Sequence, residues 1–419
     1  MKILIAHRSM YLDGGDTRYA IELTKLLTER GHEVVIFNYG DPRNADLGVR
    51  TINTQDEGEE LASSKFEDLG WIQTVKYGLS SVFSVQAYRK MRSLLRTERF
   101  DLVHIQSIHH TLTTSILLAL KDASVPVVWT LHDYRLICPE SHLFREGNIC
   151  ELCVTGSLIH AIANRCKRDS FLLSSGAVLA SLVDRVTRCY EIPKKFIAPS
   201  NALMRRFVSA GFEGSRFEVL PHFVDFPINT MKFAEENGIL YFGRFSREKG
   251  IEVLLRTSSL LKHRAFHLVG DGEMRQEIEH LCALSGLGNV TLFPFMDGHN
   301  LLEMISRAEI IVCPSQWEEV FGLSILESMA LGKIVIASAV GAIPEIIEDG
   351  VTGLLVRKFD REEEWAHSIE SILMNPLLAR KIKKNAAEIA KTRFSRDSHY
   401  FNLMKIYESV ISAASDTNE

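Results

Sequence analysis

No stretch of this 419-residue chain reaches the roughly 20 consecutive apolar residues that cross a bilayer. The best candidate, residues 171–183, is too short and carries Ser174, Ser175 and Ser181. The start of the chain does not read as a cleaved leader: only Lys2 precedes the apolar run 3–6, and His7 and Arg8 close it, which is the pattern of a first strand. There is no excess of positive charge either. With 48 Lys and Arg against 53 Asp and Glu, the net charge is -5, which argues against a nucleic-acid binder. Short-period repeats and low-complexity tracts are absent. The expectation is a cytoplasmic chain whose seven cysteines are reduced.

The length exceeds what one ordinary core organises, so two domains are expected. Short β-branched runs alternate with helical periodicity throughout. Residues 3–6, 34–37, 102–105, 127–131 and 196–199 read as buried parallel strands. Asp16 or Thr17 is placed to cap a helix with apolar positions at Ala20, Leu23, Leu26 and Leu27, stopped by Gly31. A second strand series follows at 239–242, 266–269, 290–293, 310–313, 334–337 and 353–356. Between the series, residues 221–237 carry Pro221 and Pro227 with little periodicity, and read as a linker. The pattern predicts two doubly wound α/β domains facing a central cleft, with ligands at the C-terminal strand ends. The division expected is 1–222 and 223–395. The last helical pattern, from about residue 396, fits against either domain.

The segment Glu319-Val320-Phe321-Gly322-Leu323-Ser324-Ile325-Leu326-Glu327 carries the most chemistry. One carboxylate stands just before a predicted helix and another about a turn inside it, with free backbone N–H groups between. Carboxylates accept hydroxyl protons and amides receive anions, so the natural ligand is part polyol and part phosphate, as a nucleotide-sugar is. The same letters also fit a surface helix that starts and ends in Glu. Gly243-Arg244-Phe245-Ser246-Arg247-Glu248-Lys249-Gly250 follows the first strand of the second series, where Arg244 and Lys249 would hold a diphosphate or form a solvated loop. Asp13-Gly14-Gly15-Asp16 holds the matching place in the first domain, as a ligand-approaching loop or a plain turn. Thr130-Leu131-His132-Asp133 ends another strand, and His132 reads as a cleft-facing donor or a structural histidine.

Together these pieces resemble the family-4 class of retaining glycosyltransferases with the GT-B fold. Gly31-His32-Glu33-Val34, Val269-Gly270-Asp271-Gly272, Cys313-Pro314-Ser315 and Gly341-Ala342-Ile343-Pro344-Glu345 extend the likeness over nearly the whole chain. The resemblance implies that Glu327 holds the ribose hydroxyls and Glu319 contacts the donor sugar. It gives Arg244 and Lys249 the diphosphate, with backbone amides near Gly14, Gly15, Leu323 and Ser324 beside Phe321 and Gly322. His132 would touch the sugar near the reacting carbon and Met296 would border the base. No cofactor is implied for transfer, and the final helix, 396–419, would return to the first domain. Ala342 and Pro294 stand where glycine is common in the family.

Two features lie outside that likeness. Cys138, Cys150, Cys153 and Cys166 fall within thirty residues and include a Cys-x-x-Cys pair, which suits either a structural zinc site or four separate thiols. From Arg165 to Arg206, nine Lys or Arg stand against three acidic residues around the apolar run 171–183, which fits a solvated helix or one lying on an anionic membrane surface.

The leading expectation is therefore a transferase moving a hexose from a UDP- or GDP-sugar to a glycan or lipid-linked saccharide acceptor, in cell-surface polysaccharide biosynthesis. The alternatives are an inactive nucleotide-sugar-binding partner subunit and a GT-B epimerase. The first loses support from the presence of Arg244, Lys249, Glu319, Glu327 and His132 together.

Overall fold

The structure, a computed structural model, describes residues 1–54, 81–109, 111–224 and 237–415. Its strands are short apolar runs whose alternate residues feed opposite faces of a sheet. In the first sheet the strands are β1 (Lys2–Ala6), β2 (Glu33–Asn38), β3 (Arg50–Asn53), β4 (Leu102–Ile105) and β5 (Val127–Thr130). A small antiparallel hairpin, β6 (Phe144–Arg145) with β7 (Asn148–Ile149), stands apart, and β8 (Lys195–Ala198) and β9 (Phe217–Val219) complete the sheet. The order is β3-β2-β1-β4-β5-β8-β9, all parallel. Leu4, Ala6, Val35, Phe37, Val103 and Trp129 fill the core on one face. Their neighbours Ile3, Ile5, Val34, Ile36, Leu102 and Val128 fill the other. Each fully buried side chain of this kind stabilises by about 1.5–3 kcal/mol.

The second sheet repeats the plan with β10 (Ile239–Phe242), β11 (Phe266–Val269), β12 (Val290–Phe293), β13 (Ile310–Cys313), β14 (Ile334–Ser338) and β15 (Leu354–Val356). Its order is β12-β11-β10-β13-β14-β15, again all parallel. Ile239, Tyr241, Leu268 and Val312 bury on one side, Leu240, Phe242, Val269 and Ile311 on the other. In both sheets the order reverses beside the first strand, at β1/β4 and β10/β13, and the crevice of an open α/β sheet lies at such a point.

The last helix, Arg396–Ser415, leaves the second lobe and lies on the first. Leu403, Tyr407 and Val410 join the core around Ile3 and Leu23. The Tyr407 hydroxyl is hydrogen-bonded to His104 Nδ1 at 2.6 Å, and Tyr19 is bonded to His399 Nε2 at 3.0 Å.

Several sequence expectations shift in detail. The first helix starts at Gly15 with Gly14 as its cap, so Asp16 and Thr17 lie inside the first turn and do not cap it. Strands β3 and β9 were not legible as strands because their half-exposed residues lack an apolar run. Of the linker, residues 225–236 lie outside the described residues.

Candidate active site

The cleft brings together two helix starts, one from each lobe. Gly15 opens the helix Gly15–Glu29 directly after the β1 loop, and Gly322 caps the helix Leu323–Ala330. A methyl group added at Gly15 would stand 3.3 Å from Leu323 Cδ1, so the two helix starts meet across the cleft with no room to spare. Both N-termini therefore present unbonded amides and the positive ends of their dipoles to the same space. Gly322 holds φ at 115°, a conformation L side chains rarely adopt, and this lets the chain turn sharply into its helix.

Glu319 is 6% exposed, which would ordinarily be an expensive place for a charge. It is compensated on two sides. Lys249 Nζ stands 2.7 Å from its Oε1, and Ser315 Oγ donates to the same oxygen at 2.5 Å. Burial raises its pKa, but Lys249 and Ser315 win and hold the carboxyl below the usual range. Burial alone would lower the Lys249 pKa, and Glu319 raises it above the ordinary value, so both groups stay charged. The Lys249 ammonium also lies over the Trp317 ring at 5.1 Å from its centroid. The backbone at Glu319 is pinned by Gly341, where a Cβ would fall 2.5 Å from Glu319 N, while Ala342 N donates to Glu319 O at 2.8 Å. Ala342 itself adopts ordinary helical torsions, so the glycine common in the family is not needed there.

Glu327 lies on the inward side of its helix and is 5% exposed. Its partner is Arg18 of the first lobe, whose Nη1 is bonded to Glu327 Oε1. Burial pushes the Glu327 carboxyl up and Arg18 opposes that shift without cancelling it.

The first-lobe wall is built from histidines. His132 is hydrogen-bonded to the Gln106 side chain at 2.7 Å and stacks on His222 with ring centroids 5.3 Å apart. His222 in turn lies 4.1 Å from Tyr19 and 5.0 Å from Phe321, so its ring bridges the lobes. Burial lowers the His132 pKa to about 4, leaving it neutral. Nearby, Asp16 is half-buried against Arg8; burial works against its charge, but the Arg8 guanidinium holds the carboxyl well below its usual range. Two buried polar atoms beside this wall, Gln106 Nε2 and His222 Nδ1, have no protein partner, as a wall that receives a polyhydroxylated ligand would have.

Arg244 is exposed at the end of β10, one residue after Gly243, and its carbonyl accepts from the Tyr241 hydroxyl at 2.7 Å. Met296 packs on the cluster that contains Phe321, at the end of β12. The lobes are also latched beside Glu319 and at Glu345: Ser200 Oγ donates to Val320 O at 2.8 Å, Glu345 accepts from the Asn201 and Ala202 amides, and Arg206 pairs with Glu318.

Sequence reasoning missed Arg18, Gln106 and His222. Arg18 lies one turn beyond Gly14, so the helix start and its period pointed at it. Gln106 lies one residue after the apolar run of β4, the strand end where ligand groups gather. His222 lay at the start of the segment read as linker, within the stretch Pro221 to Asp225 that shares the family likeness, but no role was assigned to it.

The four clustered cysteines are free thiols that line one small cavity of about 20 Å³, and the thiols of Cys138 and Cys166 are pushed up by burial. Among the described residues no three His, Cys, Asp or Glu side chains stand close enough to hold an ion as they are arranged. A larger cavity of about 480 Å³ opens between this region and the Lys249 loop, lined by Glu140, His142, Arg145, Asp169, Arg247 and Glu252 among others. No helix among the described residues is long and apolar enough to cross a membrane.

Comparison with known proteins agrees with this geometry. The family model for Glycosyltransferase Family 4 matches residues 13–226, and that for Glycosyl transferases group 1 matches residues 227–389. The chain is 34% identical over 177 residues to an alpha-D-kanosaminyltransferase of Streptomyces kanamyceticus, covering 41% of this chain and 45% of that protein. It is 21% identical over 360 residues to an uncharacterized 42.6 kDa protein in the cps region of Klebsiella pneumoniae, covering 83% and 87%. The match thus spans about half the length of the first of these relatives. Among solved structures, Anabaena HepE in complex with UDP-glucose superposes with a TM-score of 0.69 at 20% identity, over 98% of this chain and 100% of that one. Sucrose-phosphate synthase from Thermosynechococcus elongatus gives 0.71 at 21% identity, over 99% and 100%. Two parallel-sheet lobes of this order, matched by the family model over half the chain, make this a GT-B protein that belongs to glycosyltransferase family 4.

Proposed function

We propose that the chain transfers a hexosyl residue from a UDP- or GDP-sugar to a glycan or lipid-linked saccharide acceptor, with retention at the anomeric carbon. The observation that carries this reading is the meeting of two helix N-termini with the Lys249–Glu319 pair and the Glu327–Arg18 pair in one cleft. A diphosphate needs amides and cations, which are Gly15, Leu323, Ser324, Lys249 and the exposed Arg244. A ribose needs a carboxylate, which is Glu327. The base would rest near Met296, and Glu319 with His132 would meet the donor sugar.

During transfer the nucleoside diphosphate leaves while positive charge develops at the anomeric carbon. Lys249, already charged and partly withdrawn from water, stabilises the leaving anion, and removing such a group costs about 10²–10³ in rate. His132 is neutral at working pH, so it serves as a hydrogen-bonding partner for the sugar and not as a cation. With no side-chain nucleophile required, the leaving phosphate takes the acceptor proton on the same face. The lobe division would fall at 222/223, with residues 396–419 belonging to the first lobe.

A role in polysaccharide biosynthesis on the inner membrane face is supported by the helix Phe171–Val186. Phe171, Leu172, Leu179, Leu182 and Val186 are exposed and fall within about 100° of one another around it. Arg165, Lys167 and Arg168 precede them, and Arg185 and Arg188 flank Val186 at the far end, as an anionic surface would favour.

Thermal-shift screening with UDP-, GDP- and ADP-glucose tests the donor class, because a bound nucleotide raises stability by mass action. Transfer that requires an added saccharide, with product of retained configuration by NMR, supports the reading. Binding without transfer would favour an inactive partner subunit, and conversion without any acceptor an epimerase. Co-sedimentation with phosphatidylglycerol vesicles at low salt, lost in Leu179→Ser with Leu182→Ser, tests the surface.

A further inference from the structure

The segment between Tyr134 and the helix Phe171–Val186 is anchored in the main core by Leu136, Ile137 and Leu143 and has less to hold it beyond them. Its regular structure is the hairpin β6–β7 and two helices, Leu152–Thr155 and Ile159–Ala163. Its own apolar cluster contains only Cys153, Leu158, Ala161 and Val178 buried, with Ile162 and Cys166 against them. Yet it is unusually contorted. Six of the nine non-glycine residues with positive φ among the described residues lie here: Ser141, Leu143, Glu146, Arg165, Arg168 and Asp169. Side chains rarely adopt that conformation unless the surroundings over-determine it. Ser141 and Leu143 are buried, Leu143 within the main core of the first lobe, but Glu146, Arg165, Arg168 and Asp169 are exposed, so side-chain packing does not fix those four positions.

The cysteines supply the means for a further constraint. Cys138, the pair Cys150 and Cys153 at the start of the helix Leu152–Thr155, and Cys166 after the helix Ile159–Ala163 all line the same small cavity, whose volume of about 20 Å³ suits an ion-sized guest.

We propose that Cys138, Cys150, Cys153 and Cys166 bind one zinc ion, which cross-links this segment and stiffens the wall it contributes to the adjoining 480 Å³ cavity. In binding, the four thiols release their protons to solvent and four sulfur–zinc bonds form at about 2.3 Å, closing the cavity walls inward; no electron is transferred. The thiols as they stand are too far apart for three of them to hold an ion, so the closure is part of the proposal. Cys166 lines both cavities, and Glu140, Phe144 and Arg145 do so beside it. The metal thus acts on the shape of the cleft's outer side without entering the transfer chemistry.

The test is metal content, which is independent of the transferase reading. Full-length protein from zinc-supplemented cells, purified without a metal-affinity tag, is expected to carry about one zinc per chain by plasma mass spectrometry. Replacement by cobalt should give the intense near-ultraviolet sulfur-to-metal absorption of thiolate ligation. Cys150→Ser with Cys153→Ser should lose the metal, and Cys282→Ser, in the second lobe, should keep it. Zinc far below stoichiometry in the parent protein, or retained in the double variant, overturns the proposal. Disulfides among these cysteines by thiol titration and mass spectrometry overturn it equally. Should the double variant fail to fold, the cobalt spectrum of the parent decides alone.

Discussion

Replacing Lys249 by Met removes one half of a buried ion pair and leaves the other half in place. Glu319 is 6% exposed and its Oε1 stands 2.7 Å from the ammonium, so the variant strands a carboxylate whose remaining side-chain donor is Ser315 Oγ at 2.5 Å. Breaking a buried pair in this way costs about 3–5 kcal/mol. Lys249 keeps a quarter of its side-chain surface in water, which places the expectation at the lower end, ~3 kcal/mol. The loss is read as a shift of the denaturant midpoint at unchanged slope. Adding Glu319→Gln removes the stranded charge while keeping an acceptor for Ser315, and most of the lost stability should return. Catalysis should not return with it, because the leaving diphosphate still lacks its cation: kcat/KM stays down by about 10²–10³ in both variants. If Lys249→Met lies within about 0.5 kcal/mol of the parent, as an ordinary surface change would, the pair is not buried in the sense argued here. If the double variant recovers turnover along with stability, Lys249 serves the fold and not the leaving group.

Two further outcomes follow from the same geometry. Glu327→Ala should weaken binding of the nucleotide, measured by calorimetry, whereas His132→Ala should leave it near the parent value and lower turnover; parent-like activity in both would overturn the assignment. Acid stability should fall steeply below neutral pH. His7 and His104 are held by burial to about 3, and His132 and His399 to about 4, against 6.5 when unfolded. A histidine with a depressed folded pKa leaves the unfolded chain binding the extra proton, so stability is lost as pH falls from about 6.5 toward those values. Each contributes a slope of about 1.4 kcal/mol per pH unit over that window. His104→Gln should remove one such contribution from the dependence of unfolding free energy on pH, and a slope worth less than one proton in the parent would contradict the burial described.

Much of this was legible because the sequence repeats one statement in two places. Apolar runs such as 102–105 and 334–337 are buried on both faces, and such runs separated by helical periodicity have few solutions other than a parallel sheet with helices on each side. The Glu319 to Glu327 segment was legible because its chemistry is local: one strand end, one glycine and one helix hold both carboxylates. What escaped is what depends on the other lobe. Nothing near Arg18 in the sequence mentions Glu327, which lies 309 residues away, and nothing in residues 221–224 announces that His222 will bridge Tyr19 and Phe321. Edge strands β3 and β9 were lost for the opposite reason, since half-exposed strands carry too little apolar contrast to be heard.

Arg18 adds a constraint on how a nucleotide can enter. Glu327 is too deeply buried to remain charged at no cost without a counterion, and Arg18 supplies one from the facing lobe. If Glu327 holds the ribose hydroxyls, as proposed, they must take the oxygen that Arg18 now occupies, or share the carboxylate with it. In the first case the guanidinium is released at the mouth of the cleft beside two amide-rich helix starts, where a diphosphate would accept it. The displaced cation then follows the ligand's own charge and is not left unpaired. Arg18→Ala separates these routes. An arginine that only blocks the site gives tighter nucleotide binding when removed, because no pair has to be broken. An arginine that passes from Glu327 to the diphosphate gives weaker binding, with a salt dependence smaller than the parent's because one charge contact is gone. The second result is the one expected, since burial still pushes the Glu327 carboxyl up with Arg18 in place, and without it the carboxylate would be harder still to keep charged for the ribose.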